Sequence, residues 1–169
     1  ARGRYIAFLD SDDLWMPGKL AAQVAFLDAA EISVSYGAYQ RIDERAFPLG
    51  IVTPPGVVDF KAMLCSNFIG HLTGIYRRAA LPDLRFQAVG HEDYVFWLGA
   101  LQRVGHARAT PFEGPLAAYR VAKGSVSANK LRALGWQWGI YRKYLGLSLP
   151  RSAWFFLHYV FFALAKRRR

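Results

Sequence analysis

The sequence is short of several things, and each shortage excludes something. It has one cysteine, Cys65, among 169 residues. No disulfide can form within the chain, which suits a reducing compartment, and Cys65 reads as a small buried hydrophobe. Acidic residues are scarce: 12 Asp and Glu stand against 22 Lys and Arg, for a formal net charge of +10. That balance favours anionic partners such as phosphorylated ligands, nucleic acid or an acidic membrane surface. Zinc-ligand spacing and a recognition-helix pattern are both missing, and outside the tail the positive charge is spread out. No nucleic acid is therefore expected as a partner. The oily block at 154–164 is too short to span a bilayer, which takes about 20 apolar residues. There is no initiator methionine, and no signal-peptide core or cleavage site precedes Tyr5. The chain reads as a fragment that lacks an N-terminal portion.

What is present points to a folded domain. A hydrophobic fraction of 53% with 15% aromatics excludes a disordered chain. The length fits one domain with a proper core. Residues 5–9 (YIAFL) are a continuous apolar run, as expected of a strand buried on both faces. Pro17 offers a first-turn helix position. Leu20, Val24 and Leu27 mark one face of an amphipathic helix. Residues 32–42 predict the next strand and complete a βαβ unit. Residues 48–56, with three prolines and two glycines, read as a loop. Asp59 is placed to cap a short helix toward Cys65. A strand at 71–77, a helix at 91–104 and a strand at 116–121 follow. A small, polar loop at 122–127 precedes a helix running from a Ser127 cap to a Gly146 stop. A last helix covers 152–165. With no repeat and no linker, the expected organisation is one unit over 1–150 and an amphipathic, basic C-terminal helix over 151–169.

Two acidic clusters carry the chemistry. Asp10, Asp12 and Asp13 crowd together where the first strand should end, and ligands of open α/β sheets bind outside such ends. Clustered carboxylates repel one another, and burying them is costly unless something positive compensates. Mg²⁺ or Mn²⁺ does so well, often with one or two carboxylates plus substrate phosphates. The same turn also arises as a helix cap and a solvated bend. Glu92 and Asp93 begin the predicted helix, where they complement its dipole. Asp93 and Trp97 lie four apart on one face, and a carboxylate beside an aromatic platform can hold a sugar hydroxyl and take its proton. Arg120 and Lys123 flank the 122–127 loop and suit closure over a diphosphate, although an ordinary solvated loop has the same composition. His71 and Thr73 fall on a predicted strand near this chemistry, where a lone histidine reads as a satisfied structural residue.

These residues carry a resemblance. The run YIAFLDSDDLW at 5–15, with Pro17, Lys19 and Leu20 after it, resembles the metal-binding segment of family 2 glycosyltransferases. HEDYVFWL at 91–98 resembles their Glu-Asp motif. HLTGIYRR at 71–78 and YRVAKGSVSANK at 119–130 are similar to bacterial members that build cell-surface polysaccharides. The resemblance implies an α/β fold: part of a GT-A, Rossmann-like mixed sheet flanked by helices, with the N-terminal nucleotide-binding half missing and helices at the C-terminus. It implies an inverting glycosyltransferase dependent on Mn²⁺ or Mg²⁺. Asp12 would ligate the metal directly, Asp10 would share its coordination shell and hold the ribose, and Asp13 would be secondary. Asp10, Asp12, Arg120 and Lys123 would bind a nucleotide-sugar donor. Asp93 would be the general base, with Glu92 and Trp97 binding a saccharide or lipid-linked acceptor. The Gln-x-x-Arg-Trp motif of processive synthases is not present in GWQWGIYRKY at 135–144, so one sugar per event is expected.

The oily block followed by Lys166-Arg167-Arg168-Arg169 fits a helix lying in a membrane interface with its basic end on anionic headgroups. It fits a core helix with a frayed basic end equally well. A lipid-linked acceptor would place the protein in the cytoplasm, peripheral on the inner face of the plasma membrane. The alternative function is a truncated, catalytically incompetent module that binds only a membrane or a partner.

Overall fold

The computed structural model describes residues 1–121 and 130–165. Lys123, the 122–127 loop, the Ser127 cap and the basic 166–169 end lie outside the described residues. The first half contains β1 (Tyr5–Ala7), β2 (Leu14–Trp15), α1 (Lys19–Ala29), β3 (Val34–Tyr36), β4 (Tyr39–Ile42), β5 (Pro48–Val52), β6 (Val57–Asp59) and α2 (Phe60–Cys65). The second contains β7 (Ile75–Arg77), α3 (Glu92–Val104), β8 (His106–Ala109), β9 (Ala117–Arg120), α4 (Lys130–Gly139) and α5 (Leu149–Ala165). The strands form two mixed sheets, ordered β1-β7-β3-β8-β6 and β2-β9-β4-β5. The β3–β8 and β4–β9 pairs are parallel, and the other neighbours are antiparallel.

Several expectations change in detail. The predicted strand–helix–strand unit exists, but β7 inserts between β1 and β3, antiparallel to both. β1 is the outermost strand of its sheet among the described residues, so it is half-buried rather than buried on both faces. The predicted 32–42 strand splits at Gly37 and Ala38, and its two halves join different sheets. Gly37 makes the crossing possible, because a Cβ there would fall on the Leu116 side chain. Half of the predicted 48–56 loop is strand: β5 pairs with β4 as a hairpin. The 71–77 segment opens with a 3₁₀ turn at His71–Thr73 before β7. Asp59 caps α2 as expected, with Oδ1 accepting from the Ala62 N–H at 2.7 Å.

α1 starts at Lys19, and Gly18, with φ +81°, occupies its cap position, so Pro17 precedes the helix. The buried face is Lys19, Gln23 and Leu27, while Leu20 is 43% exposed. A polar pair takes the inward positions because it finds partners there. The Lys19 ammonium donates to Gln23 Oε1 at 2.7 Å and lies 4.3 Å from the Trp15 ring centroid.

α3 is the central core helix: Tyr94, Val95, Phe96, Trp97 and Leu98 are all buried. The Tyr94 hydroxyl donates to the Met63 carbonyl at 2.8 Å, and that of Tyr141 to the Leu64 carbonyl at 2.5 Å. These bonds satisfy carbonyls in the last turn of α2. α4 runs into a π-helical segment, Ile140–Tyr144, and Gly146 follows with φ +63°. α5 buries Ser152 and Phe155 and sets Phe162 edge-on to Phe68 at 5.7 Å. On its other side Trp154, Leu157, Phe161 and Leu164 are 56% to 67% exposed. No helix among the described residues is long and apolar enough to cross a membrane.

Two outcomes follow from this packing. A Cβ on Gly74 would fall inside the Trp97 indole. Gly74→Ala is therefore expected to cost about 1–3 kcal/mol, read as a lower urea midpoint at unchanged slope. Burial pushes the Lys19 amine down to about 8. Its unfolded value is near ~10.4, so across that window the unfolded chain binds a proton that the folded chain has released. Stability should rise as pH rises from about 8 to about 10. Lys19→Met should flatten that rise in parallel unfolding titrations.

Candidate active site

The first acidic turn follows β1. The Asp13 N–H donates to the Asp10 carbonyl at 3.1 Å and closes the turn. The antiparallel pairing of Leu14 with Ala118 then brings Asp13 beside Arg120. Asp13 is 5% exposed and accepts from the Arg120 backbone N–H at 2.9 Å. Burial pushes its carboxyl up to about 6. The Arg120 N–H opposes that rise, and the Asp12 and Asp10 charges add to it. Asp10 and Asp12 remain exposed.

The structure gives Arg120 a bracing task. Its Nε donates to the Asp12 carbonyl at 3.0 Å, and one terminal nitrogen donates to the carbonyls of Asp43 and Glu44 at 3.0 and 3.1 Å. Three turn carbonyls outside any strand ladder converge on the guanidinium. Arg120 thus clasps the acidic turn to the tip of the β4–β5 hairpin.

The second acidic pair opens α3, with Glu92 exposed and Asp93 half-buried. His91 precedes them in the left-handed region (φ 58°, ψ 48°), which costs a non-glycine residue on the order of 1 kcal/mol. Its ring lies edge-on to Trp136 at 5.3 Å, and a Cβ on Gly90 would fall inside the same indole. From α5, Tyr159 approaches Asp93: burial raises its hydroxyl first, and the Asp93 charge adds to that.

Trp97, expected to line the acceptor site, is fully buried. The helix is apolar all round at this level, so the position four residues after Asp93 faces the core. Trp97 instead forms a floor, with ring centroids 6.1 Å from both Phe8 and His71. The aromatic wall beside the acidic pair is Trp136. Its signal was the WQW triplet at 136–138, which sequence alone does not separate from a core pattern.

His71 sits between the two motifs and is the residue that sequence reasoning undervalued. Its 3₁₀ turn is pinned twice: Trp15 Nε1 donates to the Leu72 carbonyl at 2.9 Å, and Gln23 Nε2 to the Thr73 carbonyl at 2.8 Å. The imidazole stacks on Phe8 with centroids 4.5 Å apart and an interplanar angle of 16°. Burial lowers its basicity, while the charges of Asp93, Asp10 and Glu92 pull the other way. One imidazole therefore feels both acidic motifs. Its Nδ1 is buried without a hydrogen-bond partner among the described residues, so it is not a satisfied core histidine.

Among the described residues no three His, Cys, Asp or Glu side chains converge into a metal cage. With Asp13 turned inward, Asp10 and Asp12 are the outward oxygen donors. Such a pair fits a Mg²⁺ or Mn²⁺ ion that takes its remaining ligands from water and phosphate.

Known proteins are similar to this chain in sequence and in fold. Residues 1–80 match the model of glycosyl transferase family 2. Over 134 residues the chain is 37% identical to the UDP-Glc:alpha-D-GlcNAc-diphosphoundecaprenol beta-1,3-glucosyltransferase WfaP of Escherichia coli, covering 79% of this chain and 52% of that protein. It is 30% identical over 174 residues to an uncharacterized glycosyltransferase of Haemophilus influenzae, covering 100% of this chain and 67% of that protein. The chain thus spans about half to two thirds of the length of these relatives. The crystal structure of S. aureus TarS in complex with UDP-GlcNAc matches it with a TM-score of 0.55 at 20% identity, over 76% of this chain and 38% of that one. That likeness shows a shared α/β fold of GT-A type. With the fold, the two acidic motifs and these relatives in agreement, the chain belongs to glycosyltransferase family 2.

Proposed function

We propose that this chain carries the reaction centre of an inverting, divalent-cation-dependent glycosyltransferase. It moves one sugar from a nucleotide-sugar donor to a lipid-linked saccharide in cell-surface polysaccharide assembly. The observation behind this reading is that His71 stands between the two acidic motifs: its ring stacks on Phe8, two residues before Asp10, and meets Trp97 on the helix that Glu92 and Asp93 open. One motif suits a diphosphate and its cation, the other suits an acceptor hydroxyl, and transfer requires both ligands side by side. The UDP-GlcNAc bound by TarS and the diphosphoundecaprenol acceptor in the name of WfaP support the two substrate classes.

In this reading Asp93 takes the proton of the acceptor hydroxyl. The acceptor oxygen forms its bond to the anomeric carbon on the face opposite the diphosphate. The bond from that carbon to the diphosphate oxygen breaks at the same time, and its electron pair departs with the nucleoside diphosphate. Configuration at the carbon inverts. Asp12 and Asp10 would hold the Mn²⁺ or Mg²⁺, which when bound stabilises charge on the leaving diphosphate. Glu92 orients the acceptor from the exposed side of the same helical turn. The open apolar face of α5, followed in sequence by four basic residues, suits a peripheral place on an anionic membrane surface at its cytoplasmic side.

Two measurements on the whole gene product test this. Asp93→Asn should lower sugar transfer by about 10²- to 10⁴-fold while UDP still binds. Equal transfer by mutant and wild type would remove Asp93 from the base role. In calorimetric titrations UDP should bind more tightly with Mn²⁺ than in EDTA, and Asp12→Ala should abolish that difference. An unchanged Mn²⁺ effect in the variant would separate the acidic turn from the cation.

A further inference from the structure

A groove of about 640 Å³ lies between the β4–β5 hairpin and α5. That volume is within the range of small-molecule sites. Its walls are mostly apolar, with Leu49, Ile51, Phe68 and Phe162 among them, and no Asp or Glu is among the described residues that line it. Tyr39 and Arg41, two apart on β4, stand on one face of the strand and contribute polar groups, as do Thr53 and Asn67. The Arg41 side chain makes no hydrogen bond or ion pair to another described residue, and it is half-buried. A cation in an apolar groove without an acidic partner is a poor stabilising device and a good receptor for an anionic ligand.

The groove lies beside the proposed site. A Cβ on Gly70 would come within 2.9 Å of the Tyr39 ring, so Tyr39 lies against the residue preceding His71. The Asp13 charge acts on the Tyr39 hydroxyl, although burial dominates its rise. α5 lies near both regions as well, since the Asp93 charge acts on the Tyr159 hydroxyl while Phe162 lines the groove. At its outer end the groove opens between exposed apolar residues, Leu49 and Ile51 on β5 and Phe161 on α5.

We propose that this groove binds the diphosphate and the first isoprenoid units of a lipid-linked acceptor. The assignment rests on the transferase reading above. Arg41 answers the diphosphate, the apolar walls hold the chain, and the saccharide beyond the diphosphate reaches His71 and Asp93. The remaining length of the lipid leaves past Phe161 toward the apolar face of α5.

Farnesyl diphosphate is the probe, titrated into the whole gene product in EDTA so that the donor site lacks its cation. It should bind at least about tenfold more tightly than inorganic diphosphate or farnesol. Arg41→Gln should weaken farnesyl diphosphate about tenfold or more and leave farnesol unchanged. Ile51→Ser, at a position 57% exposed and so tolerant of the change, should weaken both farnesyl compounds by about fivefold and leave inorganic diphosphate unchanged. Farnesyl diphosphate binding that neither variant alters would overturn the assignment. UDP binding with Mn²⁺ in the same preparations is read separately. The transferase reading depends on that result, and the groove depends on the variants.

Discussion

The Asp13 carboxylate, turned inward onto the Arg120 N–H, sets the layout of the acidic turn. Three aspartates cannot all face one solvent-filled space without strong mutual repulsion. The fold resolves this by burying one as a structural acceptor. The same contact locks the turn to β9, and the Arg120 guanidinium carries the lock on to the β4–β5 hairpin. Asp10 and Asp12 are left outward on a frame braced through β9 and the β4–β5 hairpin. A buried carboxylate is a poor contributor to stability but a good fixer of geometry.

Beneath this frame lies an aromatic floor. Phe8 stacks on His71, and Trp97 meets both edge-on. Gly74 lets the indole lie directly against the backbone of the His71 turn. Two side-chain donors, from Trp15 and Gln23, fix the carbonyls of that turn. The site residues therefore stand on packed rings and pinned backbone, which is how a constellation keeps its geometry before any ligand arrives.

Much of this was legible in the sequence, and the reasons for success and failure differ. The two acidic motifs stand out because clustered like charge is costly and needs a purpose. Asp59 was readable as a cap because capping depends on a few neighbouring atoms. The roles of Trp97 and Arg120 were not readable, because each depends on what surrounds it in space. Helical spacing places Trp97 on the face of Asp93 but does not say that this face turns into the core one turn later. Composition marks Arg120 as a candidate for phosphate but does not show the three carbonyls that occupy it. β5 was hidden by its proline and glycine, since an edge strand tolerates residues that a central strand does not. His71 was undervalued for a similar reason: its significance is its position between two motifs that lie about twenty residues or more apart from it or from each other along the chain.

The buried state of Lys19 also changes how the charge of this molecule should be pictured. The formal excess of +10 counts every cation alike. Yet the Lys19 ammonium is sealed under Trp15, Arg4 and Arg77 are both spent on Asp28, and Arg120 is wrapped in carbonyls. A ligand approaching from solvent meets a field that is distributed more unevenly than the count suggests. Its attraction is strongest where cations stand without a nearby carboxylate, so the molecule addresses anions by place rather than by total charge.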